Sequence, residues 1–332
     1  MRLKSFVLAS AIALAATPAA AAPFTALYVF GDSLSDNGNL AAIAAGAGLA
    51  ISQPPYAPGR ASNGKVAVEV LAKRLGLPLL PFAAGGTNFA VIGAATGEVV
   101  NPTGIPPMVD NISEQLLGAS LPIDTGIGYQ VGGFLALWPL PALDPNALYV
   151  VWGGANDISI NPSAPVATQA ADNVGALVVA LYANGARNFL VPNLPDLGAT
   201  PGAAGPLAPA ITQLGLAYNS RLAGNLTLLG ALPGANIVAF DTFSALQNLG
   251  PRFANTTQPC VIGNVLFSQY APYCGPGVED EFLFWDASHP TGRAHKMLGQ
   301  QFARAVGVPE PASLLLGALG LAGVAYRRRR AA

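Results

Sequence analysis

The sequence predicts an α/β fold: a three-layer α/β/α sandwich around a central, mostly parallel five-stranded sheet. Short apolar runs alternate with helical runs five times, which is the signature of βαβ units. The strands are apolar throughout, as strands covered on both faces should be. Pro- and Gly-rich stretches at 51–60, 97–107 and 198–209 read as loops within one body.

The elements follow in order. Ala26 to Phe30 is a short buried strand ending at Gly31. Ser62 or Asn63 caps a helix running to Leu75, in which Val66 and Val70, and Ala67 and Leu71, fall at i,i+4 spacing. Asn88 to Ile92 is the second strand. A helix is expected around Gly126 to Leu137, with Val131, Phe134 and Leu135 on one face. Ala147 to Trp152 is the clearest strand. The helix Ala170 to Asn184 follows, with Val174, Leu177, Val178 and Leu181 on one face and Asn184-Gly185 as its stop. Asn188 to Val191 and Asn236 to Phe240 are the last two strands. A helix from about Pro209 to Leu229 separates them, and a final helix runs from about Thr291 to Val306.

Composition narrows the function classes. Of 332 residues, 52% are hydrophobic and only 10% are charged, which excludes a disordered chain. Pro, Gly, Asn and Asp interrupt every long apolar run of the interior, which excludes a multi-pass membrane protein. Setting aside Arg2 and Lys4, and Arg327 to Arg330 with Glu310, leaves 10 of the 16 basic and 16 of the 17 acidic residues. An acidic body without a basic patch excludes nucleic acid as a partner.

The two ends read as addresses. Met1 to about Ala21 has a basic start, an apolar stretch from Phe6 to Ala16, and small residues at Ala19, Ala20 and Ala21, the layout of a secretory signal peptide. At the other end, Val308-Pro309-Glu310-Pro311 precedes apolar Ala312 to Tyr326 and then four arginines. A helix over that apolar stretch would span only ~22 Å, short of a ~30 Å hydrocarbon core unless the arginines snorkel. This tail resembles a PEP-CTERM sorting signal. The resemblance implies export in a Gram-negative bacterium that makes extracellular polysaccharide. It also implies transient anchoring in the inner membrane and recognition by an exosortase after signal peptidase has acted. The destination would be the extracellular space, cell surface or outer membrane. A plain tail anchor is the alternative. The domain expected between the ends spans residues 22–307. Cys260 and Cys274 are expected to pair in an oxidising compartment, adding ~3 kcal/mol in the chain-entropy model; two free thiols are the alternative.

In an open parallel sheet, ligands bind beyond the carboxyl ends of the strands. After the first strand comes Gly31-Asp32-Ser33-Leu34, after the second Gly93, and after the third Gly154-Ala155-Asn156-Asp157. Near the chain end comes Asp286-Ala287-Ser288-His289. A serine hydroxyl needs a base to become a nucleophile. The only histidines are His289 and His295. Asp286 lies three residues before His289, close enough to orient its ring, whereas His295 has no acidic neighbour in sequence and reads as a surface or packing residue. The Ser33 N–H, the Gly93 N–H and the Asn156 amide would form an oxyanion hole. Asp32 and Asp157 read as structural hydrogen-bonding groups. Alone, Gly-Asp-Ser reads as a turn with a capping serine, Gly-x-Asn-Asp as a turn, and Asp-x-x-His as a surface pair.

Together, in this order, these segments resemble the motif blocks of the GDSL/SGNH hydrolase family over about residues 26–306. Asn193-Leu-Pro-Asp-Leu-Gly198 and Phe282-Leu-Phe-Trp-Asp286 resemble its lipase/phospholipase-like branch. Ile92 departs from the pattern, standing where many relatives have Gly, which would narrow the oxyanion turn. The resemblance implies an SGNH-type, flavodoxin-like fold and a serine esterase with catalytic Ser33, Asp286 and His289, needing no cofactor or metal. Other chemistries lack their residues: no Gly-x-Ser-x-Gly elbow, phosphate loop, dinucleotide fingerprint or histidine–carboxylate cluster occurs. The segment from Ala94 to Asn146, with Met108, Leu116, Leu117, Phe134, Leu135, Trp138 and Leu140, is either an acyl-pocket wall or core. Two other readings remain open: a polysaccharide O-acetyl esterase, and a non-catalytic matrix or surface protein.

Overall fold

The computed structural model describes residues 24–46, 48, 51, 54–102, 107–117, 123–137, 143–262 and 272–308. The leader and the sorting tail lie outside the described residues. So do Trp138 and Leu140, together with the side chains of Leu116 and Leu117.

The central strands are β1 (Leu27–Gly31), β4 (Leu148–Trp152), β5 (Asn188–Pro192) and β6 (Asn236–Phe240), hydrogen-bonded in that order. Every pair is parallel. Between β1 and β4 the chain forms an antiparallel pair, β2 (Ala94–Val100) and β3 (Met108–Asn111), which flanks and partly overlaps the stretch read from sequence as a loop, 97–107. A short pair, β7 (Asn255–Pro259) and β8 (Phe282–Phe284), leads to the last helix.

The helices, in order, are α1 (Asn39–Gly46), α2 (Ala67–Leu75), α3 (Ile112–Leu117), α4 (Ile127–Leu137), α5 (Ala155–Ile160), α6 (Ala164–Ala183), α7 (Ala208–Gly230), α8 (Thr242–Leu249) and α9 (Gly292–Ala305). Alternation along the strands sends neighbouring side chains to opposite faces. Tyr149 and Val151 of β4 join Phe30, Phe189 and Val191 under α4, α6 and α7. Leu148, Val150 and Trp152 join Leu27, Val29 and Leu190 under α2 and α9. Both faces are therefore covered, and the three layers expected from the sequence are present.

The expected fifth strand, Asn88–Ile92, runs parallel beside β1 but pairs with it only at Val29–Asn88. Three backbone bonds hold it there: Val29 N to Thr87 O (3.1 Å), Phe89 N to Val29 O (2.8 Å) and Val91 N to Gly31 O (3.0 Å). On its other side Asn88 pairs with the backbone of Leu80 and Phe82, and side chains take further groups. Asn39 Nδ2 donates to the carbonyls of Asn88 and Ala90, and Ile92 N donates to Asp36. The regular sheet is thus four-stranded, and the fifth segment is traded for a polar scaffold under the site. The helix expected from Ala170 begins earlier, at Ala164. Ser163 precedes it, and Pro165 sits in the first turn, where no N–H is needed.

The starts of α2 and α9 are tied to each other's neighbourhood. His295, on α9, accepts a hydrogen bond from Ala67 N at the start of α2 (3.2 Å). Asn63, expected to cap α2, instead accepts from Gly292 N at the start of α9 (2.7 Å). His295 is buried, as a packing residue. Burial, with a smaller contribution from His289, pushes its ring from the usual 6.5 to about 3.

The sign of the linkage follows. An unfolded chain takes up this proton near 6.5 and the folded chain only near 3, so this group makes stability fall as pH drops between them. Asp32 and Asp157, raised by burial to about 6, act in the opposite direction over pH 3.8–6. We therefore expect His295→Asn, which keeps an acceptor for Ala67 N, to lose less stability on acidification than wild type. Urea midpoints at pH 7 and pH 4.5 measure it. Equal losses in the two proteins would contradict the expectation.

Candidate active site

The turn after β1 is built for close approach. A Cβ on Gly31 would lie 2.6 Å from the Trp152 carbonyl. Gln130 on α4 clamps the Gly31 peptide from both sides, accepting from its N–H and donating to its carbonyl, each at 2.9 Å. The chain then curls through Asp32, whose carbonyl accepts from Ser35 N (3.0 Å) and Asp36 N (2.9 Å), while its carboxylate accepts from Leu34 N (3.0 Å). This leaves Ser33 at the carboxyl edge of β1.

Asp36 fixes the next loop to this turn. Its buried carboxylate accepts from Gly38 N, Asn39 N and Leu40 N, and from Ile92 N across the groove (2.9 Å). Burial pushes its carboxyl up against the pull of these four donors. The Ile92 departure is accommodated here: its N–H is taken by Asp36, its carbonyl accepts from Asn111 Nδ2 (3.0 Å), and its side chain is buried. Gly93 follows with φ of 85°, and a Cβ there would lie 2.3 Å from Asn111 Oδ1. Among the described residues, the N–H groups of Ser33 and Gly93 have no hydrogen-bond partner.

The third loop carries Asn156 at the start of α5. Its Nδ2 donates to Ala94 O (2.9 Å), which orients the amide beside Gly93. Asp157 accepts from Thr96 N and from the Thr96 hydroxyl (2.6 Å), tying α5 to β2. Tyr218 on α7 donates to Gly153 O (2.6 Å) under the same turn. Asp32 and Asp157 thus take the structural roles expected of them.

The fourth loop follows β8. Trp285 N donates to His289 O (2.7 Å), closing a tight turn. Inside it, Asp286 Oδ1 accepts from Ser288 N (2.9 Å) and His289 N (2.8 Å). His289 Nδ1 lies 2.8 Å from both oxygens of Asp286, and Nε2 lies 2.8 Å from Ser33 Oγ. The three side chains expected from the sequence therefore form one hydrogen-bonded row across 256 residues of chain. Burial alone would lower the His289 ring, but the Asp286 charge and hydrogen bond outweigh it and hold the ring above its usual 6.5. Burial alone would raise Asp286; the His289 charge and the donors on the carboxylate hold it below its usual value.

Two residues of this arrangement carry no signal in the sequence. Gln130 sits on a helix legible only by its apolar face. Tyr56, in the Pro/Gly-rich 51–60 loop, donates its hydroxyl to Asp286 Oδ2 (2.8 Å) from 230 positions away. Spacing cannot announce such a pair.

Ser33, Gly93, Asn156 and His289 open onto one groove of about 1300 Å³. Its apolar wall differs from the segment proposed from sequence. Ile112 is the contribution of 94–146 among the described residues, and Phe134 is core. The wall is built mainly by the segment after β5 (Leu197, Leu207, Ile211) and by α8 with the chain beyond it (Phe243, Leu246, Phe253). Gly202 N donates to Ala287 O (2.7 Å), bolting that wall to the turn that carries His289.

The profile of the GDSL-like Lipase/Acylhydrolase family matches residues 27–302, and the chain belongs to that family. A PEP-CTERM protein-sorting motif matches residues 307–330, a C-terminal sorting signal typical of exported Gram-negative proteins. The chain is 29% identical over 295 positions to the thermolabile hemolysin of Vibrio parahaemolyticus, covering 83% of this chain and 62% of that protein. It is 33% identical over 350 positions to esterase EstA of Pseudomonas aeruginosa, covering 95% of this chain and 52% of EstA. A GDSL esterase/lipase of Arabidopsis thaliana is 25% identical over 329 positions, covering 82% and 86%. The chain thus spans little more than half to three-fifths of the two bacterial proteins. Among solved structures, a lipolytic G-D-S-L family member from Veillonella parvula superposes with a TM-score of 0.42 at 12% identity, covering 84% of this chain and 96% of that one. Axe2, an acetylxylan esterase from Geobacillus stearothermophilus, gives 0.39 at 12%, covering 87% and 97%.

Gly93→Ala is expected to be poorly tolerated, because the new Cβ meets Asn111 Oδ1 in a backbone conformation that L side chains rarely adopt. A thermal midpoint several degrees below wild type is the expected result. An unchanged midpoint would mean that the turn relaxes freely.

Proposed function

We propose that this chain is an exported serine ester hydrolase in which Ser33 is the nucleophile, His289 the general base and Asp286 the group that orients it. The observation that carries the reading is the row Ser33–His289–Asp286 with 2.8 Å at each link. His289 Nε2 takes the Ser33 proton as Oγ attacks the ester carbonyl. The carbonyl oxygen becomes an oxyanion. The free N–H groups of Ser33 and Gly93 and the second hydrogen of the Asn156 amide, already oriented by Ala94, stabilise it. The protonated ring then delivers its proton to the leaving alcohol. Water, activated by the same ring, releases the acyl group from Ser33. Asp286 stabilises the imidazolium formed in both halves.

The ester is hydrophobic in this reading. A groove of about 1300 Å³ exceeds the ~300–1,000 Å³ typical of sites for drug-sized ligands. Its walls carry Ile, Leu and Phe, and no tryptophan or tyrosine that would stack a sugar ring lines it among the described residues. The names of the relatives, an esterase and a GDSL esterase/lipase, agree with ester chemistry. For localisation, we read Met1 to Ala21 as a signal peptide, 22–307 as the hydrolase domain and the rest as a tail read by an exosortase. The Cys260–Cys274 disulfide, with Cα atoms 4.8 Å apart, suits an oxidising compartment.

Two outcomes test this. Wild type should hydrolyse p-nitrophenyl butyrate and longer esters, and Ser33→Ala should lose at least ~10³-fold in kcat/KM. Equal activity of the two would remove Ser33 from the mechanism, and activity confined to acetate would remove the hydrophobic-ester reading. The acid limb is the second test. His289 must be neutral to act as base, and its ring is held above 6.5, so kcat/KM should fall as pH drops through a midpoint above 6.5. Asp286→Asn should move that midpoint down. A limb centred well below 6.5 in wild type would contradict the assignment.

A further inference from the structure

The proposal here rests on the roles given above to Asp286 and His289. We infer that Tyr56 is a positioning residue for Asp286: its hydroxyl fixes the carboxylate and draws charge away from the face that holds His289.

The carboxylate has four donors. Ser288 N and His289 N bind Oδ1, Tyr56 OH binds Oδ2, and His289 Nδ1 lies 2.8 Å from both oxygens. The two backbone donors belong to the turn itself and hold Oδ1. Tyr56 is the donor that comes from elsewhere in the chain, and it sets the rotation of the carboxylate about its axis. Without it, Oδ2 has only the imidazole as partner.

The hydroxyl is itself held in place. The Tyr56 ring is buried and meets Trp285 edge-on, with centroids 5.8 Å apart and planes at 88°. Cys260 and Val261 pack in the same cluster, with Cys274 and Phe282 against it. Val261 N donates to Trp285 O (2.7 Å), and Cys274 N to Cys260 O (2.7 Å). Cys260, Val261 and Cys274 therefore pack beneath both Tyr56 and the Asp286 turn. Burial and the Asp286 charge raise the phenol well above its usual range, so it stays a neutral donor at every working pH.

A neutral donor on Oδ2 shares the carboxylate's charge with the imidazolium on the other side. Removing it leaves more charge to stabilise protonated His289. The other groups bearing on this ring are Asp32, from the turn after β1, and buried His295, from α9. Neither touches Tyr56 in a hydrogen bond, so both serve as a constant background.

The test is Tyr56→Phe, which keeps the ring on Trp285 and removes only the hydroxyl. The chain has two histidines, and His295→Asn identifies the other signal, so the His289 ring protons can be titrated by NMR in the full chain. The His289 midpoint should rise by about 0.5–1 pH unit in Tyr56→Phe. The acid limb of kcat/KM should move up by the same amount, and the thermal midpoint should stay close to wild type. An unmoved or lowered His289 midpoint would overturn the inference and leave Tyr56 a packing residue, whatever happens to activity. The titration needs no turnover. A protein inactive on every ester would therefore count against the proposed reaction, while the Tyr56 inference would still be decided by the ring.

Discussion

Burying a carboxylate away from water costs several kcal/mol unless donors surround it. The site depends on how the chain meets that constraint. Three of its four loops are wrapped around a buried aspartate whose oxygens accept backbone N–H groups. Asp36 gathers the turn after β1, the start of α1 and Ile92. Asp157 binds α5 to Thr96 on β2. Asp286 folds its own turn around Oδ1 and offers both oxygens to His289. Each carboxylate leaves a site residue, Gly93, Asn156 or His289, at a position its loop cannot easily abandon. The segment at Asn88–Ile92 is held in the same way: part of its backbone is committed to Asp36 and Asn39, and Asn88 also pairs with Leu80 and Phe82.

The carboxylates are not equivalent. Asp32, Asp36 and Asp157 are raised by burial, with Asp32 and Asp157 reaching about 6, because desolvation outweighs the donors around them. Asp286 alone among these is lowered, because the His289 charge and ring hydrogen bond and the N–H groups of Ser288 and His289 outweigh burial. One sheet edge thus holds one aspartate down against the imidazole while burial pushes the other three up. That division suits the role of base proposed for His289.

Much of this was legible in the sequence. Apolar periodicity located the four regular strands and the helices that cover them, because burial on both faces leaves no freedom to vary those positions. The residues of the row could be named because only two histidines exist and one has an aspartate three positions before it. What stayed hidden came from long-range pairing. The Tyr56 hydroxyl and the Gln130 clamp act across 230 and 99 positions, and nothing local marks either. The β2–β3 pair was hidden because a Pro/Gly-rich stretch reads as a loop. Of the two readings of 94–146, pocket wall or core, Phe134 takes the second. Phe134 and its neighbours have the composition of a pocket lining, but α4 turns Phe134 into the core beside Tyr28, Phe30 and Phe89. Among the described residues the apolar wall sits mainly on the 3₁₀ turns and helices after β5 and β6, where Asp196 and Asp241 accept local N–H groups.

The central claim is that His289 and Asp286 make Ser33 the reactive nucleophile of this chain. It is tested most directly by treating the folded protein with a fluorophosphonate and mapping the adduct by mass spectrometry. The account predicts one phosphonyl group on Ser33, formed rapidly in wild type and at least ~10²-fold more slowly in His289→Ala. Labelling of a different residue, or labelling of Ser33 at the same rate without His289, would contradict it.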